Sequence, residues 1–229
     1  MPTQITILDA GPCITFCAAS KQALLVAVLQ RGSNQLHVPD VVDDEVGNRG
    51  SNRRDFPPGT VSNWRLLTEH EHVGILDSSV SSDDAGALSD AVKKLSGTPL
   101  AERLTNTKDL GEILVIAHAM VRKDRGEEVY VVIDEHRGQK LATQFGIKVI
   151  DTAWILGSAV ARGLIADRGE MRKTYDNLRK YDAGLIHIEQ TYLLTKGLWA
   201  RKPEPVPSGE AEAAAEAALD QLAAANDRT

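Results

Sequence analysis

Four acidic residues are the side chains of this chain whose types and positions best fit a chemical role. Asp9 ends the apolar strand pattern of residues 4–9, and Asp134 ends that of residues 128–134. Glu45 and Glu112 lie near the start of segments with helical patterns. Carboxylates at the ends of buried strands are costly unless something pairs with them. A hard divalent cation is their natural partner, and it supports the hydrolysis of phosphodiester bonds.

Each of these carboxylates also has a structural interpretation. Asp109-Leu-Gly-Glu112 matches a capping box, with Asp109 as N-cap and Glu112 as the third helical residue. Asp134 can cap the helix that follows it, and Glu45 can be one more solvated charge on an acidic helix. Asp9 is the hardest to explain in this way, because Ala-Gly-Pro follows it. A common position at one rim of a parallel sheet favours a shared metal site over four separate roles.

Strand and helix patterns alternate along the first 165 residues. The strand patterns cover residues 4–9, 35–39, 72–76, 128–134 and 147–151. The helical patterns cover residues 12–31, a short helix that Asp40 caps, and then residues 83–95, 111–122, 135–145 and 152–162. Residues 47–58, rich in Gly, Asn, Arg and Pro, predict a break in regular structure.

The apolar strands are nearly continuous, which is typical of strands that are buried on both faces. The sequence therefore predicts an α/β fold, a parallel sheet covered by helices on both faces. Ligands of such sheets bind outside the carboxyl ends of the strands, where Asp9 and Asp134 fall.

The C-terminal part of the chain differs in composition. Residues 166–202 predict a C-terminal helical appendage, with a polar helix over residues 168–181 that packs on the domain of residues 1–165. Residues 203–229 begin with a Pro-rich break and continue as an Ala/Glu-rich tail, either flexible or helical.

Charge and composition bear on three classes of protein: nucleic-acid-binding, membrane-spanning and disulfide-rich. The net charge is −6, but six acids and one arginine give residues 203–229 a charge of −5, which leaves −1 for the rest. This balance is compatible with an RNA substrate and argues against a broad basic surface. No apolar run reaches the roughly 18 residues of a membrane span, and two cysteines are too few for a disulfide framework. We expect a cytoplasmic protein without a membrane partner.

In its ordered set of short motifs the chain is similar to the PIN-domain ribonucleases. The stretches that carry the resemblance lie within residues 4–165 and are residues 7–12, 38–46, 110–112, 116–119, 132–135, 141–142, 146–149 and 151–152. Many relatives of this kind are toxin subunits of VapBC-type toxin–antitoxin pairs.

The resemblance implies a Mg²⁺- or Mn²⁺-dependent endoribonuclease whose ligands are Asp9, Glu45, Glu112 and Asp134. Asp151 is either a fifth member of this set or the N-cap of the helix at residues 152–162, and we favour the N-cap. The implied partners are an RNA substrate, an antitoxin protein and a second copy of the chain as a homodimer. Two alternatives stay open: a housekeeping RNA-processing nuclease, and a non-catalytic PIN-like scaffold that binds RNA or protein.

Four arginines are candidate contacts to the RNA backbone. Arg49, Arg53 and Arg54 follow the Glu45 helix, and Arg137 comes three residues after Asp134. Each can equally be an ordinary surface arginine. Aromatic residues make up 4% of the chain, so we expect no platform on which bases stack.

Overall fold

Five parallel strands form one sheet in the computed structural model, which describes residues 4–30, 32, 34–52 and 56–200, with side chains of the helix at 40–52 only as far as residue 48. The strands, in chain order, are β1 Gln4–Leu8, β2 Gln35–Pro39, β3 Gly74–Leu76, β4 Glu128–Val132 and β5 Lys148–Ile150. Their order in the sheet is β3-β2-β1-β4-β5. In β1, residues 5–8 are all nearly inaccessible to solvent. Because successive side chains point to opposite faces, both faces of the sheet are covered.

The strand order reverses at β1, which pairs with β2 on one side and with β4 on the other. Leu8 of β1 lies opposite Val132 of β4. The pairing continues one residue further, since the N–H of Asp9 donates to the carbonyl of Val132 at 3.0 Å. Asp9 and Asp134 thus follow adjacent strands at the reversal, where sheets of this kind bind their ligands.

Eleven α-helices and two 3₁₀ turns connect and flank the strands in the described part of the chain. The helices are α1 Ala10–Ala18, α2 Gln22–Leu29, α3 Asp40–Asn52, α4 Gly59–Glu69, α5 Ala85–Ser96, α6 Leu100–Arg103, α7 Leu110–Asp124, α8 His136–Gln144, α9 Thr152–Ala161, α10 Arg168–Arg179 and α11 Lys196–Trp199, and the 3₁₀ turns are Ile188–Gln190 and Tyr192–Leu194. The predicted α/β class, a parallel sheet flanked by helices, is confirmed.

The helical pattern predicted over residues 12–31 corresponds to two helices, because a turn separates α1 from α2. Ser20 has a left-handed backbone with φ of 53°. The N–H of Lys21 donates to the carbonyl of Phe16 at 2.7 Å, and the N–H of Ser20 donates to that of Cys17 at 3.1 Å. These two bonds form a Schellman motif, which satisfies the last carbonyls of α1 with a serine where glycine is usual.

The break predicted at residues 47–58 is also wrong in its first half, since α3 continues through Asn52. Val42 and Val46 are fully buried on one face of α3. Burial of such a face stabilises a helix more than the propensities of single glycines weaken it. Helix α4, which the sequence patterns did not predict, buries Trp64 and Leu67.

Residues beyond 165 pack on the same core as the sheet. Helix α10 buries Met171, Tyr175 and Leu178, and the side-chain amide of Asn177 donates to the carbonyl of Ala19 at 3.0 Å. The predicted polar helix therefore exists and lies against α1. The predicted tail at 203–229 lies outside the described residues, and the division of the chain at residue 165 stays a prediction.

Within the described residues, the helices are too short or too polar to cross a lipid bilayer.

Two glycine substitutions test the continuous course of α3. A β-carbon on Gly47 meets nothing within 4 Å, whereas Gly97 ends α5 with φ of +79°. We expect Gly47→Ala to raise the unfolding free energy by about 0.5–1 kcal/mol through helix propensity. Gly97→Ala should lower it, because alanine is strained at positive φ. Thermal unfolding of both variants checks this, and destabilisation by Gly47→Ala would contradict a helix at residue 47.

Candidate active site

A cavity of about 750 Å³ opens at the carboxyl edge of the sheet, where β1 and β4 end. All five acidic residues proposed from the sequence as metal ligands line it. Eight carboxylates are found in its lining, with no lysine or arginine among the described residues that line it. They are Asp9, Glu45, Asp109, Glu112, Asp134, Glu135, Asp151 and Asp182. The fold thus gathers acidic side chains from distant parts of the chain around one space.

Asp9 is the most strongly perturbed of the predicted ligands. The pKa of Asp9 is raised to about 7, mainly by burial. The hydrogen bond from the Ala10 N–H opposes this shift, and the negative charges of Glu45, Glu112 and Asp134 contribute to it. These charges reach Asp9 through a medium of low dielectric constant, where repulsion is stronger than in water. A bound cation would remove the repulsion.

Asp134 is held by the start of α9. Its two oxygens accept hydrogen bonds from the N–H and the hydroxyl of Thr152, both at 2.7 Å. Burial raises the pKa of Asp134 to about 6, although these two bonds oppose the effect, and the charges of Asp182 and Asp151 add to it. The alternative that Asp134 caps α8 is wrong, because Glu135 occupies that position.

The capping box predicted at Asp109 and Glu112 is wrong. Asp109 has a left-handed backbone with φ of 54° and makes no side-chain capping bond. Its carboxylate pairs with Arg137 at 3.1 Å instead. Glu112 is therefore free of the capping role, and its carboxylate lies over Gly138, where a β-carbon would be 2.6 Å from Oε2. Burial raises the pKa of Glu112, with a further contribution from Glu135.

The carboxylates of Glu45 and Asp9 both come close to Gly111. A β-carbon at Gly111 would lie 3.4 Å from Oε2 of Glu45 and 3.9 Å from Oδ1 of Asp9. The two oxygens therefore approach the same point on the backbone of α7 from different elements. A side chain at this position would contact both carboxylates.

A protein-family model described as a PIN domain matches residues 69–185, just over half of the chain. The chain belongs to the PIN-domain family. PIN domains are generally nucleases, and they typically use divalent metal ions. The matched segment contains Glu112, Asp134 and Asp151, whereas Asp9 and Glu45 precede it. Neither a curated protein nor a solved structure matches the chain significantly.

The oxygen donors of this PIN domain fit a hard divalent cation in kind, because Mg²⁺ prefers carboxylates and water. Their positions are more open than those of a closed metal site. Over the described ranges, no three His, Cys, Asp or Glu side chains form a group that could hold a metal ion. The carboxylates instead surround the cavity, with Asp134 held by Thr152 and Glu112 over Gly138.

Asp151 is the N-cap of α9, as favoured from the sequence. Its carboxylate accepts a hydrogen bond from the N–H of Trp154 at 2.7 Å. It also lines the cavity of the PIN domain and raises the pKa of Asp134. A ligand role for Asp151 stays a prediction.

Several cavity residues were not found from the sequence, because they follow no strand-end rule. The side-chain amide of Gln139 donates to the carbonyl of Ile133 at 2.9 Å and so fixes the turn that carries Asp134. Tyr175 donates its hydroxyl to the carbonyl of Ile186 at 2.8 Å, which ties the segment after α10 to the cavity. Asp182 on this segment adds another carboxylate to the lining.

The four candidate RNA-binding arginines have different outcomes. The side chain of Arg137 is 70% exposed beside Asp109 at the rim of the cavity. The backbone of Arg49 lies in α3, but its side chain and the whole of Arg53 and Arg54 lie outside the described residues. A contact of these arginines with RNA stays a prediction.

The raised pKa of Asp9 predicts a specific pH dependence of stability in metal-free protein. In the unfolded chain this carboxyl has its ordinary pKa of 3.8, so protons bind the folded state more tightly. The contribution to stability is complete below about pH 4 and is lost as the pH rises through about 7. Relative to the wild type, Asp9→Asn should therefore gain stability over this range, by an amount on the order of 3 kcal/mol.

Urea unfolding in EDTA at several pH values from about 4.5 to 8 measures this difference. Titrating groups that do not interact with Asp9, such as the buried His118, are common to both proteins and cancel, whereas the carboxylates that repel Asp9 contribute to the measured difference. Asp90→Asn, which replaces an exposed acid on α5 away from the cavity, is the matched control and should lack the gain in stability expected of Asp9→Asn. A constant difference between Asp9→Asn and wild type would contradict the raised pKa.

Proposed function

We propose that this PIN domain is a metal-dependent endoribonuclease that hydrolyses RNA phosphodiester bonds. One observation carries the proposal: Asp9, Glu45, Glu112 and Asp134 line a single cavity at the carboxyl edge of the sheet. The family supports nuclease chemistry in general. The oxygen-rich lining supports a divalent cation as the agent of that chemistry.

The charge of the cavity supports metal dependence independently. A phosphodiester that enters a lining of eight carboxylates, with no lysine or arginine among the described residues there, is repelled unless cations bind first. The repulsion is strong because the carboxylates of Asp9 and Asp134 are buried. We therefore assign Mg²⁺ or Mn²⁺ as the cofactor, and we expect little affinity for RNA in its absence.

Each side chain has a distinct role in this proposal. Asp9 and Glu45, which both approach Gly111, would supply oxygens to the ion together with Glu112 and Asp134. When bound, such an ion supplies a water of lowered pKa and neutralises the charge that develops on phosphate. Thr152 orients the Asp134 carboxylate through two hydrogen bonds of 2.7 Å. Orientation of a ligand by hydrogen bonds of this kind commonly affects metal affinity by 10–100-fold.

Arg137 is our candidate for a contact to the RNA backbone outside the cavity. Its guanidinium is mostly exposed and pairs with Asp109 at the rim. An exposed pair of this kind contributes little to stability, so Arg137 can exchange Asp109 for a phosphate at low cost. Arg49, Arg53 and Arg54 are proposed for the same role on the evidence of the sequence alone.

The geometry of the site is common to two subclasses of ribonuclease, the toxin of a toxin–antitoxin pair and a housekeeping RNA-processing enzyme. The resemblance to VapBC-type toxins supports the first, with an antitoxin as partner. The competing class is a non-catalytic scaffold. We expect both kinds of ribonuclease to bind a divalent cation in the cavity, and we expect the scaffold not to bind one.

Metal binding and cleavage test the proposed function together. Full-length protein stripped of metal should gain thermal stability on addition of Mn²⁺. At 100 times Kd the gain is about 2.7 kcal/mol, which corresponds to a rise of about 5–10 °C in Tm for a chain of this size. The same protein should cleave single-stranded RNA only with Mg²⁺ or Mn²⁺ present.

Asp9→Asn and Asp134→Asn should lose most of the rise in Tm and all detectable cleavage, whereas the distant Asp90→Asn should behave as wild type. Full cleavage by Asp9→Asn in the presence of Mn²⁺ would contradict the proposed role of Asp9 as a metal ligand. A wild type with neither a metal-dependent rise in Tm nor cleavage would favour the scaffold.

Gly111→Ala tests the space between Asp9 and Glu45. The new β-carbon would stand 3.4 Å from Oε2 of Glu45, in van der Waals contact with the carboxylate, and would take up space next to the oxygens that we propose as ligands. We expect Mn²⁺ affinity to fall about tenfold or more, with little loss of fold stability because alanine favours helix. Isothermal titration with Mn²⁺ measures the affinity.

Gly86→Ala is the matched control, because Gly86 is the second residue of α5 as Gly111 is of α7, and its β-carbon meets nothing within 4 Å. Equal Mn²⁺ affinities of the two alanine variants would contradict a metal site between Asp9 and Glu45.

A further inference from the structure

Each of the two exposed aromatic residues of the described structure directly follows a residue that lines the acidic cavity. Six large apolar side chains are exposed in this part of the chain, and two of them, Trp154 and Tyr192, are aromatic. The residue before each of these two, Ala153 and Thr191, lines the cavity, as does the exposed Ile186. We call Trp154, Ile186 and Tyr192 the aromatic edge.

Tyr192 is fixed in place on α9. Its hydroxyl donates to the carbonyl of Ala153 at 2.9 Å. A β-carbon on Gly157 would stand 2.4 Å from that hydroxyl oxygen and 3.0 Å from ring atom Cε2, so the ring lies against the bare backbone at Gly157. It nevertheless keeps 46% of its surface exposed. Burial, and then the charge of Asp151, raise the pKa of the hydroxyl, in agreement with its place beside the cavity.

Trp154 lies on the first turn of the same helix. Its backbone N–H donates to the carboxylate of Asp151 at 2.7 Å, and its side chain is 45% exposed. Trp154 and Tyr192 therefore flank the N-terminus of α9, the point that also holds Asp134 through Thr152. An anchored, half-exposed ring loses little conformational entropy when a flat partner stacks on it.

We propose that Trp154 and Tyr192 stack on a base of the RNA next to the phosphate in the cavity, an inference that rests on the proposed ribonuclease function. Stacking on aromatic rings tolerates any base, because every base has a π-face. It also supplies what the cavity lacks, since its described lining offers carboxylates and no lysine or arginine to hold RNA. This proposal departs from the expectation, drawn from the low aromatic content, that the chain has no platform on which bases stack.

An unpaired nucleotide is required by this arrangement. A base within an RNA duplex has both faces covered by its neighbours, and access to it requires unstacking and unpairing. The aromatic edge thus makes single-stranded RNA, or an unpaired loop nucleotide, the preferred substrate of the site. In this proposal the aromatic edge selects the substrate, and the carboxylates of the cavity take part in hydrolysis.

The size of the aromatic edge favours a base over a protein partner. Half-exposed aromatic side chains offer about 100 Å² each, so Trp154 and Tyr192 present roughly 200 Å², and Ile186 adds less than another aromatic residue would. A stable protein interface buries about 800 Å² on each partner. The neighbouring surface at the cavity is acidic, and a protein partner that extends over it would have to bury those carboxylates.

Cleavage of RNA with one abasic nucleotide tests the inference. A series of short single-stranded RNAs carries the abasic nucleotide at successive positions around the cut. For wild type with Mn²⁺, we expect one flanking position at which loss of the base slows cleavage about tenfold. Trp154→Leu and Tyr192→Leu should be slow on intact RNA and insensitive to that abasic position, and Trp154→Phe should restore the sensitivity.

Leu164→Ala is the matched control, since Leu164 is an exposed apolar residue just beyond the other end of α9, and it should behave as wild type. If no abasic position slows wild type more than the leucine variants, the inference is overturned while the nuclease function stands.

A binding measurement decides the inference even if wild type cleaves no RNA. With Ca²⁺ as the metal, RNA that carries 2-aminopurine should lose fluorescence on stacking with wild type and not with Trp154→Leu. That result supports the aromatic edge when the proposed function fails, and equal fluorescence with both proteins overturns it. Analytical ultracentrifugation tests the remaining possibility, that a second copy of the chain covers the rings. A dimer of the wild type that is lost in Trp154→Leu would overturn stacking on RNA.

Discussion

The electrostatic repulsion among carboxylates at the carboxyl edge of the sheet is the constraint on which the rest of this structure depends. Asp9 and Asp134 follow adjacent parallel strands, and burial with like charges raises the pKa of both. Such an arrangement opposes folding, and other parts of the molecule must offset it. The offset comes from an extensive apolar core and from the N-terminus of α9, whose N–H groups and dipole favour the negative charges of Asp134 and Asp151.

Elements outside the central strands complete the site. Gly111 and Gly138 have no side chains, and this leaves room for the carboxylates of Glu45, Asp9 and Glu112 beside them. The hydroxyl of Tyr175 donates to the carbonyl of Ile186 and holds the segment after α10 at the cavity. The hydroxyl of Tyr192 donates to the carbonyl of Ala153 and holds the second 3₁₀ turn against α9. A stable fold that accepts repulsion at one edge is typical of a site whose function requires a cation.

The residues matched by the family model are only part of those that form the cavity. The PIN-domain match begins at residue 69, yet β1 at the centre of the sheet and α3 carry Asp9 and Glu45 into the same cavity. The matched residues alone lack β1, one of the two strands with which β4 pairs. A site assembled from both parts is complete only when the whole sheet is formed, so the metal binding that we propose would be coupled to global folding.

The sequence by itself determined the parallel α/β class and placed Asp9 and Asp134 at strand ends, because strand periodicity and the residues that end a strand are local signals. It also identified Asp151 as a helix cap, a contact that spans three residues. Tertiary structure alone decided that Asp109 pairs with Arg137 and so releases Glu112, that α3 continues through its glycines, and that Tyr192 stands beside the cavity. Each of these depends on residues far apart in the chain, whose contacts form only when the core packs and which no local pattern records.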